Sequence, residues 1–140
     1  MGMSAQALLA FGEMYRNGGV HVRPRAGAGV DSVRVLPEAW VRASWNAQGR
    51  SRAGGRAYGY GWWIGRAGGR AVYYAWGYGG QMLFVIPDLA LTVVMTSDPA
   101  TRSSEGGHLD ALRSLLDEQI IPAAERGRAG AATPTRRVPR

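Results

Sequence analysis

Residues 58–97 constrain the fold most strongly, because they predict four consecutive antiparallel strands. Tyr58, Tyr60 and Trp62 alternate with other residues at the period of two that is typical of a strand. The predicted strands cover residues 58–63, 72–76, 81–86 and 91–97, with a Gly-rich turn at 66–70 and a turn at Pro87-Asp88. The last two strands are almost continuously apolar, which predicts a sheet covered on both faces.

The centre of this stretch, WGYGGQ at residues 76–81, combines large rings with glycines. Glycine inside a strand lowers stability and often marks a position that a ligand or another backbone approaches closely. The same pattern also suits a sheet edge or a bulge that requires unusual backbone torsions. The pattern alone leaves both interpretations open.

Several kinds of site are excluded by the residue types that are missing. The chain has 140 residues, enough for one ordinary domain, and contains no Cys, which excludes disulfides and thiolate metal sites. His21 and His108 are far apart and show no ligand spacing, so we expect no metal and no cofactor. No apolar run reaches about 18 residues, so no membrane span is predicted. No signal peptide is visible at residues 1–10, and the sequence leaves the localisation unknown.

Three helices are predicted around the strands. Ser4 is a candidate N-cap for a first helix that ends at Asn17-Gly18-Gly19, and Pro37 begins a short helix over residues 37–43. Ser103 or Ser104 caps a last helix that Pro122 closes. Its apolar stripe consists of Leu109, Leu112, Leu115, Leu116 and Ile120.

The remaining segments are predicted to be irregular. Residues 21–33 and 46–56 are rich in Gly and Arg and predict flexible loops, and residues 123–140 predict a disordered tail rich in Arg, Ala and Pro. The whole order predicts an α+β fold in which helices flank an antiparallel sheet. The predicted helices would cover only a small part of the apolar sheet surface. We therefore expect residues 1–122 to be part of a larger domain.

Five blocks of the sequence resemble, in order, the C-terminal part of the β-lactamase-related serine hydrolases. They are residues 2–19, 35–44, 58–64 (YGYGWWI), 76–98 (WGYGGQMLFVIPDLALTVVMTSD) and 115–124. This class C β-lactamase-like family includes esterases, relatives of penicillin-binding proteins and 6-aminohexanoate-dimer hydrolases. The resemblance implies a sheet flanked by helices and a helical lobe, with the active site between them. It also implies a small-molecule amide, ester or lactam substrate, provided that an N-terminal portion completes the site.

The resemblance assigns roles to residues 76–81. A family motif of K-T-G or H-x-G type, on a strand beside the site, maps onto Tyr78-Gly79-Gly80, with Tyr78 where Lys or His is usual. The glycines would let substrate lie against the backbone, because a Cβ at Gly80 would obstruct it. Trp76 would contact the substrate, and the backbone N–H of Gln81 would be the oxyanion donor.

The family's nucleophile has no counterpart here. It is the Ser of an S-x-x-K motif, assisted by that Lys and by the Tyr of a Y-x-N motif, and all 17 basic residues of this chain are Arg. Tyr15-Arg16-Asn17 matches Y-x-N only in its letters, because it lies downstream of the family's catalytic Tyr. A Ser97/Asp98/His108 triad can be drawn, but we expect His108 to be solvated in a first helical turn. The chain is therefore predicted to be inactive alone and to be the C-terminal piece of a longer enzyme.

Two other functions agree with the sequence. Arg-Gly pairs among Tyr and Trp residues, with a net charge of +7, are also typical of nucleic-acid-binding modules. Alternatively, the chain is a non-catalytic remnant that binds a ligand or another chain through an exposed sheet face. That face would carry an aromatic patch of Tyr60, Trp62, Trp76 and Tyr78. Core packing is the competing explanation for Trp62, Trp63 and Trp76.

Overall fold

The computed structural model describes residues 2–27, 29–52, 54–98 and 107–132. Its helices are α1 (Ala5–Arg16), α2 (Glu38–Ser44), α3 (His108–Leu115) and α4 (Ile121–Ala132), with a 3₁₀ turn at Pro87–Leu89 and a π turn at Leu116–Ile120. Its strands are β1 (Val20–Arg25), β2 (Gly29–Arg34), β3 (Gly49–Arg50), β4 (Ala57–Tyr58), β5 (Trp63–Ala67), β6 (Arg70–Gly77), β7 (Gln81–Ile86) and β8 (Leu91–Met95).

Six of these strands form one antiparallel sheet in the order β3-β4-β5-β6-β7-β8, so that every strand pairs with its neighbour in sequence. The strands β1 and β2 form a separate two-stranded ribbon. The predicted α+β class with an antiparallel sheet and flanking helices is confirmed. Three of the four predicted strands are confirmed as β6, β7 and β8, and the predicted turn at residues 66–70 is confirmed at Gly68-Gly69, where both φ angles are positive.

The strand β7 is buried on both faces, as its apolar run predicts. On one face Met82, Phe84 and Ile86 pack in a core that also contains Leu116 and Ile121. The opposite face of β7 packs in a second core, which includes Met14 of α1, Val41 of α2 and Trp62. The sheet is therefore the middle layer of three, with α3 and α4 on one side and α1 and α2 on the other.

The first two predicted helices are confirmed. The Ser4 hydroxyl accepts a hydrogen bond from the Ala7 amide at 3.2 Å, which caps α1 as predicted. Helix α1 lies directly on the sheet at Gly12, where a Cβ would stand 2.6 Å from Cγ2 of Thr92. Helix α2 follows Pro37. These contacts place both helices against the second core.

The predicted strand at residues 58–63 is wrong. Strand β4 ends at Tyr58, and the chain reverses through a turn in which the Gly59 amide donates to the Trp62 carbonyl at 2.8 Å. Gly61 has a φ of 82°, and a Cβ at Gly59 would lie 2.0 Å from the Ser44 carbonyl oxygen. The alternating glycines therefore serve a reversal packed against the end of α2, and β5 begins only at Trp63.

The predicted loop at residues 21–33 is wrong in large part, whereas the predicted loop at residues 46–56 is wrong only at Gly49–Arg50. The first contains most of the β1–β2 ribbon, whose register runs from Val20 opposite Arg34 to Arg25 opposite Gly29. The second contains β3, which pairs with β4. The short strands were not predicted because nearly all side chains of these ranges face solvent. The alternation of apolar residues that indicates a strand is therefore weak.

The C-terminal helix differs from its prediction at both ends. The proposed caps Ser103 and Ser104 lie outside the described residues. Pro122 does not end the helix but lies in the first turn of α4, directly after the π turn, where the altered i→i+5 pattern accommodates a residue without an amide N–H. The predicted disorder is wrong for residues 123–132, which are helical, since their alanines favour helix and Glu125 pairs with Arg70 at 2.8 Å. Residues 133–140 lie outside the description.

Within the described ranges, no helix combines the length and apolarity required to cross a membrane.

Candidate functional site

The motif Tyr78-Gly79-Gly80 forms the turn that joins β6 to β7. Gly77 and Gln81 face each other in the ladder on either side of it, and the φ angles of Gly79 and Gly80 are 74° and 84°. The motif was expected on a strand, and this expectation is wrong because two successive left-handed residues reverse the chain. Gln81, the predicted oxyanion donor, is the first residue of β7.

Ser97 holds this turn from the end of β8. Its hydroxyl donates to the Gly80 carbonyl at 3.2 Å, and its own carbonyl accepts a hydrogen bond of 2.6 Å from Nε2 of Gln81. The Ser97 amide donates to Oε1 of Gln81 at 3.4 Å. The side chain of Gln81 thus links the start of β7 to the segment that follows β8, a contact that the sequence did not reveal.

The space above Gly80 is filled by α3. A Cβ at Gly80 would lie 2.7 Å from Nε2 of His108 and 3.1 Å from Cδ1 of Leu112. We expected this glycine to leave room for a substrate, but the described packing requires it for the approach of a helix. The side of Gly80 that a Cβ would occupy is therefore not open to a ligand.

The prediction that His108 is solvated is wrong. Its Nε2 atom is buried against Gly80 and has no hydrogen-bond partner among the described residues. Ser97 and His108 thus contact the same glycine, and the residues between them in sequence that the structure does not describe are 99–106. The Ser97 hydroxyl is directed to the Gly80 carbonyl, so this part of the chain shows no Ser–His hydrogen bond of the kind that a triad requires.

The aromatic residues do not form the single patch that was expected. Trp76 and Tyr78 are exposed at the end of β6, with 39% and 72% of their surface accessible. Trp62 is only 2% exposed and lies in the second core, where its ring is 4.8 Å from that of Tyr15. Core packing therefore explains Trp62, and also Trp63, which packs against the first core.

Tyr60 lies in a different aromatic contact. Its ring stacks on Trp40 at 5.3 Å with the planes 7° apart, and both rings are exposed. Tyr60 therefore belongs with α2 rather than with Trp76 and Tyr78.

The strongest electrostatic effects lie away from the turn. On α1, the Arg16 guanidinium donates to the Glu13 carboxylate at 2.9 Å, and this bond lowers the pKa of Glu13 against the opposing effect of burial. Burial, together with the charge of Asp88, raises the pKa of Tyr73. Among the described residues, Arg16, Arg25, Arg42, Arg70 and Arg113 are in ion pairs. Pairing reduces the cationic surface that a nucleic acid could contact.

A groove of about 670 Å³ lies between α1 and the β1–β2 ribbon. Leu9, Val22 and Val30 form its apolar part, and Glu13 and His21 are at its border. This groove was not predicted, because residues 21–33 were expected to form a loop and not a ribbon. The alternation of Val20, Val22 and Pro24 was the signal that could have found it.

No group of three or more His, Asp or Glu side chains in the described ranges is arranged to hold a metal ion.

No protein-family model matches this chain, and no curated protein is significantly similar to it. The fold class is therefore assigned from the structure alone. It is an α+β arrangement with an antiparallel sheet between helical layers.

Proposed function

We propose that this chain is the C-terminal part of a β-lactamase-related serine hydrolase that cleaves amide, ester or lactam bonds through an acyl-enzyme. In this proposal the β6–β7 turn borders the substrate site, with Tyr78 supplying a hydroxyl, Trp76 an apolar contact, and Gln81 a backbone N–H. Alone, the chain performs no acyl transfer, because the lysine of S-x-x-K is absent from its sequence.

The observation that carries the proposal is the position of Tyr78 and Trp76. Both rings are exposed at the same end of the sheet, and the strand that follows them is buried on both faces. Trp76 is in β6 and Tyr78 is in the turn that follows it, and this turn is fixed between two paired strands and by the hydrogen bond of Ser97 to the Gly80 carbonyl, so both groups have a rigid support. The resembling blocks 2–19, 35–44 and 76–98 contain α1, α2 and the strands β7 and β8 of one layered unit, whereas block 58–64 spans the reversal between β4 and β5.

The role of Gly80 changes in this proposal. Its Cβ side is occupied by His108, so substrate would approach the turn from the side of Tyr78 and Trp76 rather than across Gly80. The helix α3 then supports the back of the turn, and the Ser97 hydrogen bond fixes the Gly80 carbonyl.

The first experiment uses the purified 140-residue chain with a chromogenic ester, a chromogenic β-lactam and a fluorophosphonate probe. We expect no turnover, and intact mass spectrometry should show no adduct. A stoichiometric adduct on any serine, with Ser97→Ala as the mapping variant, would contradict the proposal.

The second experiment extends the chain by its upstream coding sequence. We expect that sequence to encode S-x-x-K and Y-x-N, and the extended protein to be acylated at the serine of S-x-x-K. In it, Tyr78→Phe should lower kcat/KM, whereas Tyr60→Phe, which removes the hydroxyl of another exposed tyrosine, next to Trp40, should not. An upstream sequence without these motifs would refute the assignment.

A nucleic-acid-binding module is the alternative. It predicts association that weakens steeply as salt rises, because counterions are released from phosphates. The ion pairs of the arginines and the burial of Trp62 make the described surface less suited to it.

A further inference from the structure

Gly65 lies at a core-facing position of β5 where neither backbone nor packing requires a glycine. The residues two positions before and after it, Trp63 and Ala67, both pack in the first core. A Cβ at Gly65 would lie 3.4 Å from Cε1 of Tyr74 and 3.6 Å from Cγ1 of Val72, which are ordinary contact distances. The φ angle of Gly65 is not in the left-handed region. Glycine inside a strand often marks a position that a ligand approaches closely.

A cavity of about 170 Å³ opens beside Gly65, between the sheet and α3. Its interior is formed by apolar side chains that are at most 7% exposed, namely Val72, Tyr74, Phe84 and Leu116. The ring centroids of Tyr74 and Phe84 are 5.9 Å apart. An apolar cavity of about 150 Å³ accepts one benzene ring, and aromatic rings attract one another at such distances. The size and the lining of this cavity therefore fit a ligand with a single ring.

The opening of the cavity is positively charged. Arg56, Arg66 and Arg113 line it together with the carboxylate of Asp117. Arg113 lies 3.7 Å from the Asp110 carboxylate, whereas Arg56 and Arg66 are in no ion pair within the described ranges. Three guanidinium groups and two carboxylates leave a net charge of +1 at the opening.

Arg113 is the cation best placed to bind an anion at this opening. Its side chain is 28% exposed, so water and salt screen its charge less than the charges of the exposed Arg56 and Arg66. A guanidinium group also offers two parallel N–H donors, a geometry that matches a carboxylate. The charge at the opening therefore favours a ligand that carries a carboxylate beside its ring.

We propose that this cavity binds a small aromatic monocarboxylate, with the ring against Tyr74 and Phe84 and the carboxylate at Arg113. The ring would displace water from an apolar surface, which is favourable, and the carboxylate would remain at the opening and accept hydrogen bonds from the guanidinium group. None of the residues assigned above to the substrate lines this cavity. The site is therefore additional to the proposed acyl transfer and does not rest on it.

Three probes with the full chain test the proposal, namely benzoate, benzamide and acetate. Benzamide has the shape of benzoate without its charge, and acetate has the carboxylate without the ring. Titration followed by NMR gives the dissociation constants, and the amide signal of Gly65 reports the place of binding. We expect benzoate to bind at least about tenfold more tightly than benzamide or acetate, because only benzoate uses both parts of the site.

The variant Gly65→Val should fill the cavity and still fold. A β-branched side chain suits a strand, and the Cβ position is free of collisions. We expect benzoate to bind at least about tenfold more weakly to this variant. Gly29→Val is the matched control, because Gly29 also lies in a strand, has no left-handed φ and would have no Cβ contact under 3.9 Å. If circular dichroism shows Gly65→Val to be unfolded, Gly65→Ala replaces it and should weaken binding at least about threefold.

The variant Arg113→Gln tests the charge separately from the cavity. It should weaken the binding of benzoate at least about tenfold and leave that of benzamide unchanged. Its control is Arg42→Gln on α2, where the arginine pairs with Glu38. Equal affinities for benzoate and benzamide, no saturable binding of benzoate, or undiminished binding in the folded Gly65 variant would overturn the proposal. Acetate binding as tightly as benzoate would show contact with surface arginines alone and would also overturn it. None of these results depends on hydrolytic activity.

Discussion

Nε2 of His108 lies 2.7 Å from the position that a Cβ at Gly80 would occupy, so the first residue of α3 packs directly on the backbone of the β6–β7 turn. Leu112, one helical turn further along, makes the next contact at 3.1 Å. The turn therefore couples the sheet to the C-terminal helix. A glycine that the sequence analysis linked to a ligand is required here by the packing of this chain against itself.

Gly80→Ala should destabilise the fold for two reasons. Its φ of 84° is unfavourable for a residue with a Cβ, and the added methyl would collide with His108. We expect a loss of about 2–4 kcal/mol in the free energy of unfolding, measured by urea denaturation. Gly69→Ala is the control, since Gly69 also has a positive φ but nothing within 4 Å of its Cβ position. Equal losses would mean that strain alone acts and that α3 does not press on the turn.

Trp62 and Trp76 should respond very differently to substitution by alanine. Trp62 is buried among Tyr15, Phe11 and other rings, and Trp62→Ala should cost about 3–5 kcal/mol of stability. Trp76 is exposed, and Trp76→Ala should cost under about 1 kcal/mol. Thermal and urea unfolding of both variants measure the difference. A large loss at Trp76 would show that this ring is part of the core and not free for a substrate.

Glu13 should make stability depend on pH in the acidic range. Its pKa in the folded chain lies below its usual value of 4.5, chiefly because Arg16 donates a hydrogen bond to the carboxylate. A lowered folded pKa means that the pair stabilises the fold above pH 4.5, and that this contribution is lost as the pH falls through the folded pKa.

Glu13→Gln should therefore flatten the decrease in unfolding free energy below that pH, while changing the slope little near neutrality. Glu118→Gln, which alters an exposed carboxylate in the π turn, is the control and should leave the decrease unchanged. An unaltered slope in Glu13→Gln would contradict the role of the Arg16 bond.

The strands were predictable where local pattern and tertiary burial agree. The run Gln81–Ile86 is short, apolar at nearly every position and bounded by turn residues, which favours a strand covered on both faces. The turn at Gly68-Gly69 was equally predictable, because two left-handed residues between strands specify a tight turn. The layered α+β class follows from these elements together.

The errors arose where the decisive contact is distant in sequence. The alternation around Gly59 suits a strand or a reversal equally, and the choice is made by the Ser44 carbonyl that lies against it. The position of His108 likewise depends on how α3 meets the turn. Helix α4 was missed because local composition suggested a tail, whereas an ion pair between Arg70 and Glu125 holds it to the sheet.

Asp117 provides a further link between the sheet and the C-terminal helices, and its removal should be measurable. Its Oδ1 accepts a hydrogen bond of 2.9 Å from the Gly68 amide in the β5–β6 turn. Asp117→Ala should lower the unfolding free energy by about 1 kcal/mol and speed hydrogen exchange at the Gly68 amide. Asp110→Ala, at an exposed position of α3, should leave that amide unchanged.

The result also bears on how Pro122 is accommodated. Asp117 lies in the π turn that precedes Pro122, and Ile121 packs against the same Gly68. If the hydrogen bond holds this turn on the sheet, Asp117→Ala should also speed exchange at the amides of α4, beyond Pro122. If exchange increases only at Gly68, the packing of Ile121 is sufficient to hold α4 on the sheet. The Asp117 carboxylate then stabilises only the β5–β6 hairpin.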